Sequence, residues 1–334
     1  MTAMNRPDGQ RALDIYGEAA AALGIELRLL DQDSKILGEL IRGHQRRYIL
    51  AGHIPLNESL STRLADDKFY SGLLLGRHGI SVPKNVRCLR PGHFTSHRFG
   101  LQEGWRHAIG FARHEGYPVV VKPNTLCGGQ LVSVAEDEEQ IRQALREIWH
   151  YDGLALVQQR VPGVDIRLDF LDDEFLIGYS RLPLVVQGDG RSTIRRLAER
   201  KDRRYASDLI WKEAPNFPDW KRQVLSRGWD EQTVLPRGQS LRLGGDILNL
   251  RRFALGGIIT DPSRPWIEIG RRIAGILNLR HLGIDFRVPS LQAEPEEAVV
   301  VDVNPRPGLT QIYRLGHRRE VLEAGKRVLT AVFG

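Results

Sequence analysis

Residues 119–122 read Val-Val-Val-Lys, followed at once by Pro123 and Asn124 and then by the pair Gly128-Gly129. Three consecutive β-branched residues mark a buried strand. This one ends on a lysine that opens into a loop of small residues. Backbone N–H groups of such a loop, together with one ammonium, are what a polyphosphate needs around it. A buried strand of this kind can present its end to an anion, and the runs downstream give that reading its weight. Further apolar runs follow in order: Leu156-Val157-Gln158-Gln159-Arg160-Val161-Pro162-Gly163, then Gly283-Ile284-Asp285, then Val301-Asp302-Val303-Asn304-Pro305-Arg306-Pro307-Gly308. Each delivers polar side chains where its apolar run stops.

The last two runs have the chemistry of a cation site. Magnesium takes hard oxygen ligands at about 2.0–2.1 Å and is usually held by carboxylates plus nucleotide phosphates. Asp285 closes one apolar run, and Asp302 and Asn304 close another. Residues two apart on a strand share a face, so Asp302 and Asn304 point toward one ion. Arg306 stands between two prolines, each with φ locked near −65°. That mount suits a guanidinium that grips a carboxylate with both its arms. Cys127 lies in the glycine loop without a neighbouring His or base, and reads as a small loop residue.

At 334 residues the chain suits two or three subdomains. Its 41% apolar and 27% charged residues are ordinary for a globular enzyme. No apolar run approaches the roughly 20 residues of a membrane span. Met1 to Gly9 is polar and has no secretory h-region. Two cysteines are too few for a disulfide scaffold or a zinc site, and the expectation is a cytoplasmic protein. The net charge of +7 is local: Arg181 to Phe253 holds 16 Lys/Arg against 9 Asp/Glu, a surplus of 7. Such a segment fits nucleic acid, an anionic substrate or a solvated surface. With no helix-turn-helix, zinc-finger or RRM-type pattern beside it, nucleic acid is not the expected partner.

Periodicity predicts mixed helix and strand. Helices are expected over Arg11–Leu23, from Ser61 or Thr62 toward Arg77, and over Leu101–His114, Glu136–His150, Ser192–Arg204, Trp266–Leu277 and Arg318–Val332. Strands are expected over 24–30, Val82–Leu89, Tyr117–Lys122, Leu154–Gln159, Asp165–Leu171, Glu174–Ser180, His281–Val288 and Ala298–Val303, with Asp172-Asp173 turning one pair. Tyr205 to Arg237 gives no readable period. The order favours α+β lobes over one doubly wound sheet.

Taken together, the ordered motifs resemble the ATP-grasp superfamily of ATP-dependent carboxylate ligases. They are most similar to the ligase domain of cyanophycin synthetase and the glutathione-synthetase half of fused glutathione synthases. Asp67-Lys68 with Leu73-Leu74-Leu75 and Gly79-Ile80-Ser81-Val82-Pro83 resembles the family's entry segment. Pro183 to Ile194, and Asn249-Leu250 with Gly256-Gly257 and Thr260-Asp261, carry two further stretches. The resemblance runs from about Leu64 to Gln311.

It implies an ATP-grasp fold, α+β (α/β), with the nucleotide held between two lobes and an N-terminal subdomain in front: 1–80, 81–160 and 161–334. It implies ATP with Mg²⁺ or Mn²⁺ at Asp285, Asp302 and Asn304. Lys68 and Lys122 would meet the α- and β-phosphates, and Gly128 and Gly129 would form the lid. A strand pair linked over Gln158–Gly163 would offer main-chain bonds to adenine from Gln159 and Val161, with Asp165 on the ribose. Arg167 and Arg181 would face the γ-phosphate and acyl phosphate, beside Arg306. The family usually has Glu where this chain has Gln158 and Asp302. The implied activity is amide formation from a small-molecule carboxylate and amine, with ADP and phosphate released; no membrane is involved, and a homo-oligomer is compatible with it. A small-molecule kinase and a nucleotide-binding module remain as alternatives.

Overall fold

The computed structural model describes residues 8–92, 104–126, 128–216, 218–245 and 254–334. Cys127 and the Asn249-Leu250 stretch lie outside these residues.

The chain opens with α1 (Asp8–Ala22), whose apolar face buries Leu13, Ile15, Tyr16, Ala19 and Ala20. An antiparallel sheet of β1 (Glu26–Leu29), β2 (Leu37–Arg42) and β3 (Gln45–Leu50) follows in that spatial order. Sequence reading finds only the first of these strands, because β3 is mostly exposed and polar. The single helix expected up to Arg77 is two, α2 (Ser59–Asp66) and α3 (Lys68–Arg77). Asp67 between them is extended (φ −88°, ψ 101°), and its carboxylate accepts from the Tyr70 N–H at 2.9 Å, an N-cap that restarts the helix. Lys68 is thus the first residue of a helix.

The second unit is a four-stranded antiparallel sheet of β4 (Asn85–Leu89), β5 (Val119–Pro123), β6 (Ser133–Ala135) and β7 (Leu154–Gln159), in the order β4-β7-β5-β6. Helices α4 (Trp105–Glu115) and α5 (Glu138–Ile148) cover it, burying Ile109, Ile141, Leu145 and Ile148 against Val119, Val121 and Val157. The helix α5 starts at Asp137, whose side chain accepts from the Gln140 N–H.

The third unit begins with the hairpin β8 (Val164–Leu171) and β9 (Glu174–Pro183). Asp172 and Asp173 turn it with φ of 48° and 64°. Positive φ at both central residues is the type I′ geometry that short hairpins favour. An excursion follows: β10 (Val185–Gln187), α6 (Ile194–Lys201), α7 (Asp208–Glu213), α8 (Pro218–Gln223) and β11 (Ser240–Arg242), which pairs with β10. Its core is aromatic, with Tyr205, Trp211 and Trp220 buried. The chain returns through β12 (Ala254–Ile259), α9 (Arg264–Leu277), β13 (His281–Val288) and β14 (Val299–Asn304), completing a five-stranded sheet in the order β12-β9-β8-β13-β14. Two helices end the chain, α10 (Thr310–Arg314) and α11 (Arg318–Phe333). One apolar core joins α11 to α1, so the first helix is anchored by the last. Among the described residues no helix is long and apolar enough to cross a membrane.

The expected strand pair over Gln158–Gly163 does not form. β7 and β8 belong to different sheets, and residues 160–163 pass between the two larger units.

Candidate nucleotide and substrate cleft

A cleft of about 450 Å³ opens between the four- and five-stranded sheets. Its size is within the range of small-molecule sites. Its walls carry Lys68, Lys122, Arg160, Arg167, Arg181, Arg287 and Arg306 against Asp66, Asp165, Asp169, Asp285 and Asp302. Cations exceed carboxylates, which favours an anionic ligand.

At one end, β7 delivers Gln158, buried between β4 and β5, and then Gln159. The Gln159 N–H donates to Lys84 O at 2.8 Å, so that group is already bonded across the sheet. Arg160 and Val161 line the cleft beyond it. Gly163 closes the passage with φ +121°; a Cβ there would sit 2.1 Å from Val288 O, so no other residue fits. Arg287 donates to Gly163 O and pairs with Asp165, which lies one strand over on the floor.

The other end of the cleft is built around Lys122. Its ammonium is buried and donates to Val301 O of β14 at 3.1 Å, across the cleft from its own strand. Burial, with the like charge of Lys68 adding to it, pushes the ammonium down to about 8, against the pull of Asp302 and Asp285. From the first turn of α3, Lys68 donates to Leu126 O at 2.9 Å and stands 3.8 Å from Asp302. The loop after β5 is held by Asn124, whose Oδ1 accepts from the Phe69 N–H, and by Thr125, which donates twice to Asp152. Gly128 and Gly129 both have positive φ, 68° and 71°.

The floor is one face of the five-stranded sheet. Asp285 stands opposite Asp302 in the β13–β14 register, and Gly283 stands opposite Asn304. Asp285 is therefore inside β13 rather than at its end, because β-branched and aromatic residues carry the strand on to Val288. Its carboxylate receives Arg167 at 3.0 Å and also Arg181. Burial alone would raise it; the two guanidiniums hold it below the usual carboxylate range. Arg167 also donates to the buried Asp169 at 2.6 Å. Gly283 leaves room for that guanidinium, since a Cβ there would lie 2.0 Å from Arg167 Nη2. Sequence reading quoted Gly283 within a motif without giving it a role, and did not single out Asp169 or Arg287; strand alternation from Arg167 was the signal for Asp169.

Asp302 keeps 31% of its side chain exposed, while Asn304 Oδ1 accepts from the Arg306 N–H at 2.8 Å. Arg306 does not wait open for a ligand. Its guanidinium is held by Asp66, at 2.6 and 2.7 Å. Asn57 ties this corner together, donating to His281 O and Pro305 O and accepting from the Arg280 and His281 N–H groups.

For a divalent ion the structure brings together Asp302, the Asn304 amide and Asp285, whose two oxygens already receive Arg167 and Arg181. No group of three or more His, Cys, Asp and Glu gathers among the described residues. This all-oxygen set, short of a full shell, fits a hard cation that phosphate oxygens complete.

With that geometry in hand, the relatives are informative. No family model matches the chain. The glutathione biosynthesis bifunctional protein of Listeria innocua is 22% identical over 342 residues, covering 98% of this chain and 42% of the relative. The cyanophycin synthetase of Geminocystis herdmanii is 27% identical over 274 residues, covering 75% of this chain and 28% of the relative. A crystal structure of a bifunctional glutathione synthetase from Pasteurella multocida superposes with a TM-score of 0.56 at 19% identity, over 94% of this chain and 44% of that one. The fold is that of the ATP-grasp proteins, as the motifs implied. The chain spans less than half the length of these relatives.

Proposed function

We propose that this chain is an ATP-dependent carbon–nitrogen ligase that joins a carboxylate to an amine through an acyl phosphate. One observation carries the reading: a single cleft gathers two lysines across a glycine loop, an oxygen-ligand set on paired strands, and two arginines on Asp285. The names of the relatives, glutathione biosynthesis protein and cyanophycin synthetase, point the same way.

In this reading Lys68 and Lys122 hold the phosphates of ATP, and the linker at Gln159–Val161 holds adenine, with Asp165 toward the ribose. The Gly128-Gly129 loop covers the phosphates and excludes water. Asp302 and Asn304, with Asp285 beside them, hold Mg²⁺ or Mn²⁺, which neutralises phosphate charge. A carboxylate oxygen of the substrate attacks the γ-phosphorus and ADP leaves. The amine then attacks the acyl carbon, and phosphate leaves as the amide forms. Arg167 and Arg181 lie where negative charge grows in both steps, a preorganised stabilisation. No side chain forms a covalent intermediate.

The substrates are an amino acid or small peptide, the compartment is cytoplasmic, and the functional divisions are 1–80, 81–160 and 161–334. Hydroxylamine intercepts an acyl phosphate as a hydroxamate. Incubation with ATP, Mg²⁺ and pooled amino acids and dipeptides should give hydroxamate that needs both ATP and a carboxylate. A stable phosphorylated product without hydroxamate would make the chain a kinase.

A further inference from the structure

The cleft face of β8 carries Asp165, Arg167 and Asp169 in a row, while Ile166, Leu168 and Phe170 fill the core behind it. Asp165 pairs with Arg287, and Arg167 stands between two other carboxylates, Asp169 on its own strand and Asp285 on β13. Asp285 is engaged twice over: Arg167 donates to its Oδ2 and Arg181 to its Oδ1. A cation bound to Asp285 competes with those guanidiniums for the same oxygens. Resting on the ligase reading and its cation, we propose that Asp169 is a positioning residue, which holds Arg167 in its seat when Asp285 turns from guanidinium to metal.

Three observations lead there. First, the two carboxylates grip different nitrogens of the fork. Asp169 Oδ1 accepts from Arg167 Nε at 2.6 Å, whereas Asp285 accepts from Nη1 at 3.0 Å. Loss of the Nη1 bond leaves the Nε bond in place, and a planar guanidinium held there stays oriented. Second, the pair is seated as a unit. A Cβ on Gly283 would lie 2.0 Å from Arg167 Nη2, 2.2 Å from its Nε and 2.2 Å from Asp169 Oδ1, so both side chains rest on the bare backbone of β13. Gly283 stands opposite Asp169 in the β8–β13 register, which puts the carboxylate over that slot. Third, the fold itself does not call for a charge there. Asp169 is 1% exposed, its β9 neighbour is Ile177, and burial pushes the carboxyl up against the pull of Arg167. Apolar side chains of similar volume often replace a buried ion pair without loss of stability. What the carboxylate does for Arg167, a residue that lines the cleft, accounts for its presence.

Asp169→Asn keeps the shape and removes the charge, and two measurements on the full chain read its effect. One is nitrogen–proton correlation NMR of the arginine Nε–H groups, with Arg167→Lys identifying the Arg167 signal. The other is Mn²⁺ binding by electron paramagnetic resonance with the non-hydrolysable analogue AMP-PNP at saturation. In the wild type the Arg167 Nε–H should exchange slowly with water and persist when Mg²⁺ and AMP-PNP are added, a result that needs no variant. In Asp169→Asn it should exchange at least about tenfold faster. Mn²⁺ should bind about tenfold or more weakly, because Arg167 then leans on Asp285, while the Kd for metal-free AMP-PNP stays within about threefold. A merely structural Asp169 would lower Tm and leave both readouts where they were, which overturns the proposal. A wild-type signal lost on adding Mg²⁺ and AMP-PNP, or no Mn²⁺ binding to the wild type, overturns it as well. The hydroxylamine assay separates the two ideas. Hydroxamate formation with both readouts unmoved sinks the role of Asp169 and leaves the ligase. Both readouts as expected, with no hydroxamate from any carboxylate, sink the ligase and leave Asp169 its role.

Discussion

Lys122 is the residue whose environment says most about its task. A buried ammonium bonded to one carbonyl, with a second lysine nearby, is held at a cost that an anion would offset. Its folded value, about 8, lies below the ordinary 10.5. Between those values the unfolded chain binds more protons, so stability of the ligand-free protein should rise as pH climbs from about 8 toward 10.5. Below about 8 the ammonium is charged in both states and the full cost remains. On the proposed reading, in which Lys122 would meet the phosphates, ATP affinity should move oppositely, weakening above pH 8 as that charge is lost. Calorimetric titration with ATP and Mg²⁺ from neutral to alkaline pH checks this, and Lys122→Met should flatten that slope. Asp302 makes a second residue-scale case. Asp302→Asn keeps shape and removes one charge, so turnover should fall by at least ~100-fold, a few kcal/mol of transition-state stabilisation, with Tm nearly unchanged. Activity near wild type would show that the carboxylate only caps a strand.

At the scale of elements, β13 and β8 must share a register in which Gly283 opens a slot for Arg167. Gly283→Ala should push the guanidinium out of its bonds to Asp169 and Asp285, both backed by buried charge. The expected loss is about 1–3 kcal/mol of stability from overpacking, read by denaturant unfolding, with activity falling alongside it. Full stability in the variant would mean that the arginine has another seat. That dependence was not legible from residues alone. Period-2 runs reveal β13 and β14, and the alternation of Asp302 with Asn304 shows their common face. Nothing local says that Asp285 stands opposite Asp302, or that it spends its charge on Arg167 and Arg181. Those are pairings across sequence distances that a strand pattern does not encode. The same limit explains Asp67, where a cap inside an unbroken apolar period split one expected helix into two. It also explains the stretch around Trp211 and Trp220, where short helices and turns pack on aromatic rings and leave no period to read. Arg306 was legible as a guanidinium on a rigid mount, but its partner Asp66 lies 240 residues earlier.

For the molecule as a whole, the two larger sheets meet through residues 160–163 and through bonds that cross the cleft. Lys122 reaches Val301 O, and Val300 N–H reaches Ser81 O just before β4. Around these bonds Lys122, on the four-stranded sheet, faces a floor of mixed arginines and aspartates, which a nucleotide with its cation would bridge. ATP and Mg²⁺ should therefore stabilise both units together, by about 2.7 kcal/mol when the ligand is a hundredfold above Kd. Thermal unfolding in the two ligands apart and together is the measurement. On the proposed reading adenosine would reach only the linker end and should shift Tm little, and Mg²⁺ alone should do no more, since phosphate oxygens would complete its shell. Hydrogen exchange then shows where the gain arises: protection should rise in β5, β14 and the Gly128-Gly129 loop at once, because on the proposed reading the phosphates would touch all three. Protection confined to one sheet would mean that the nucleotide binds one wall of the cleft without joining it to the other.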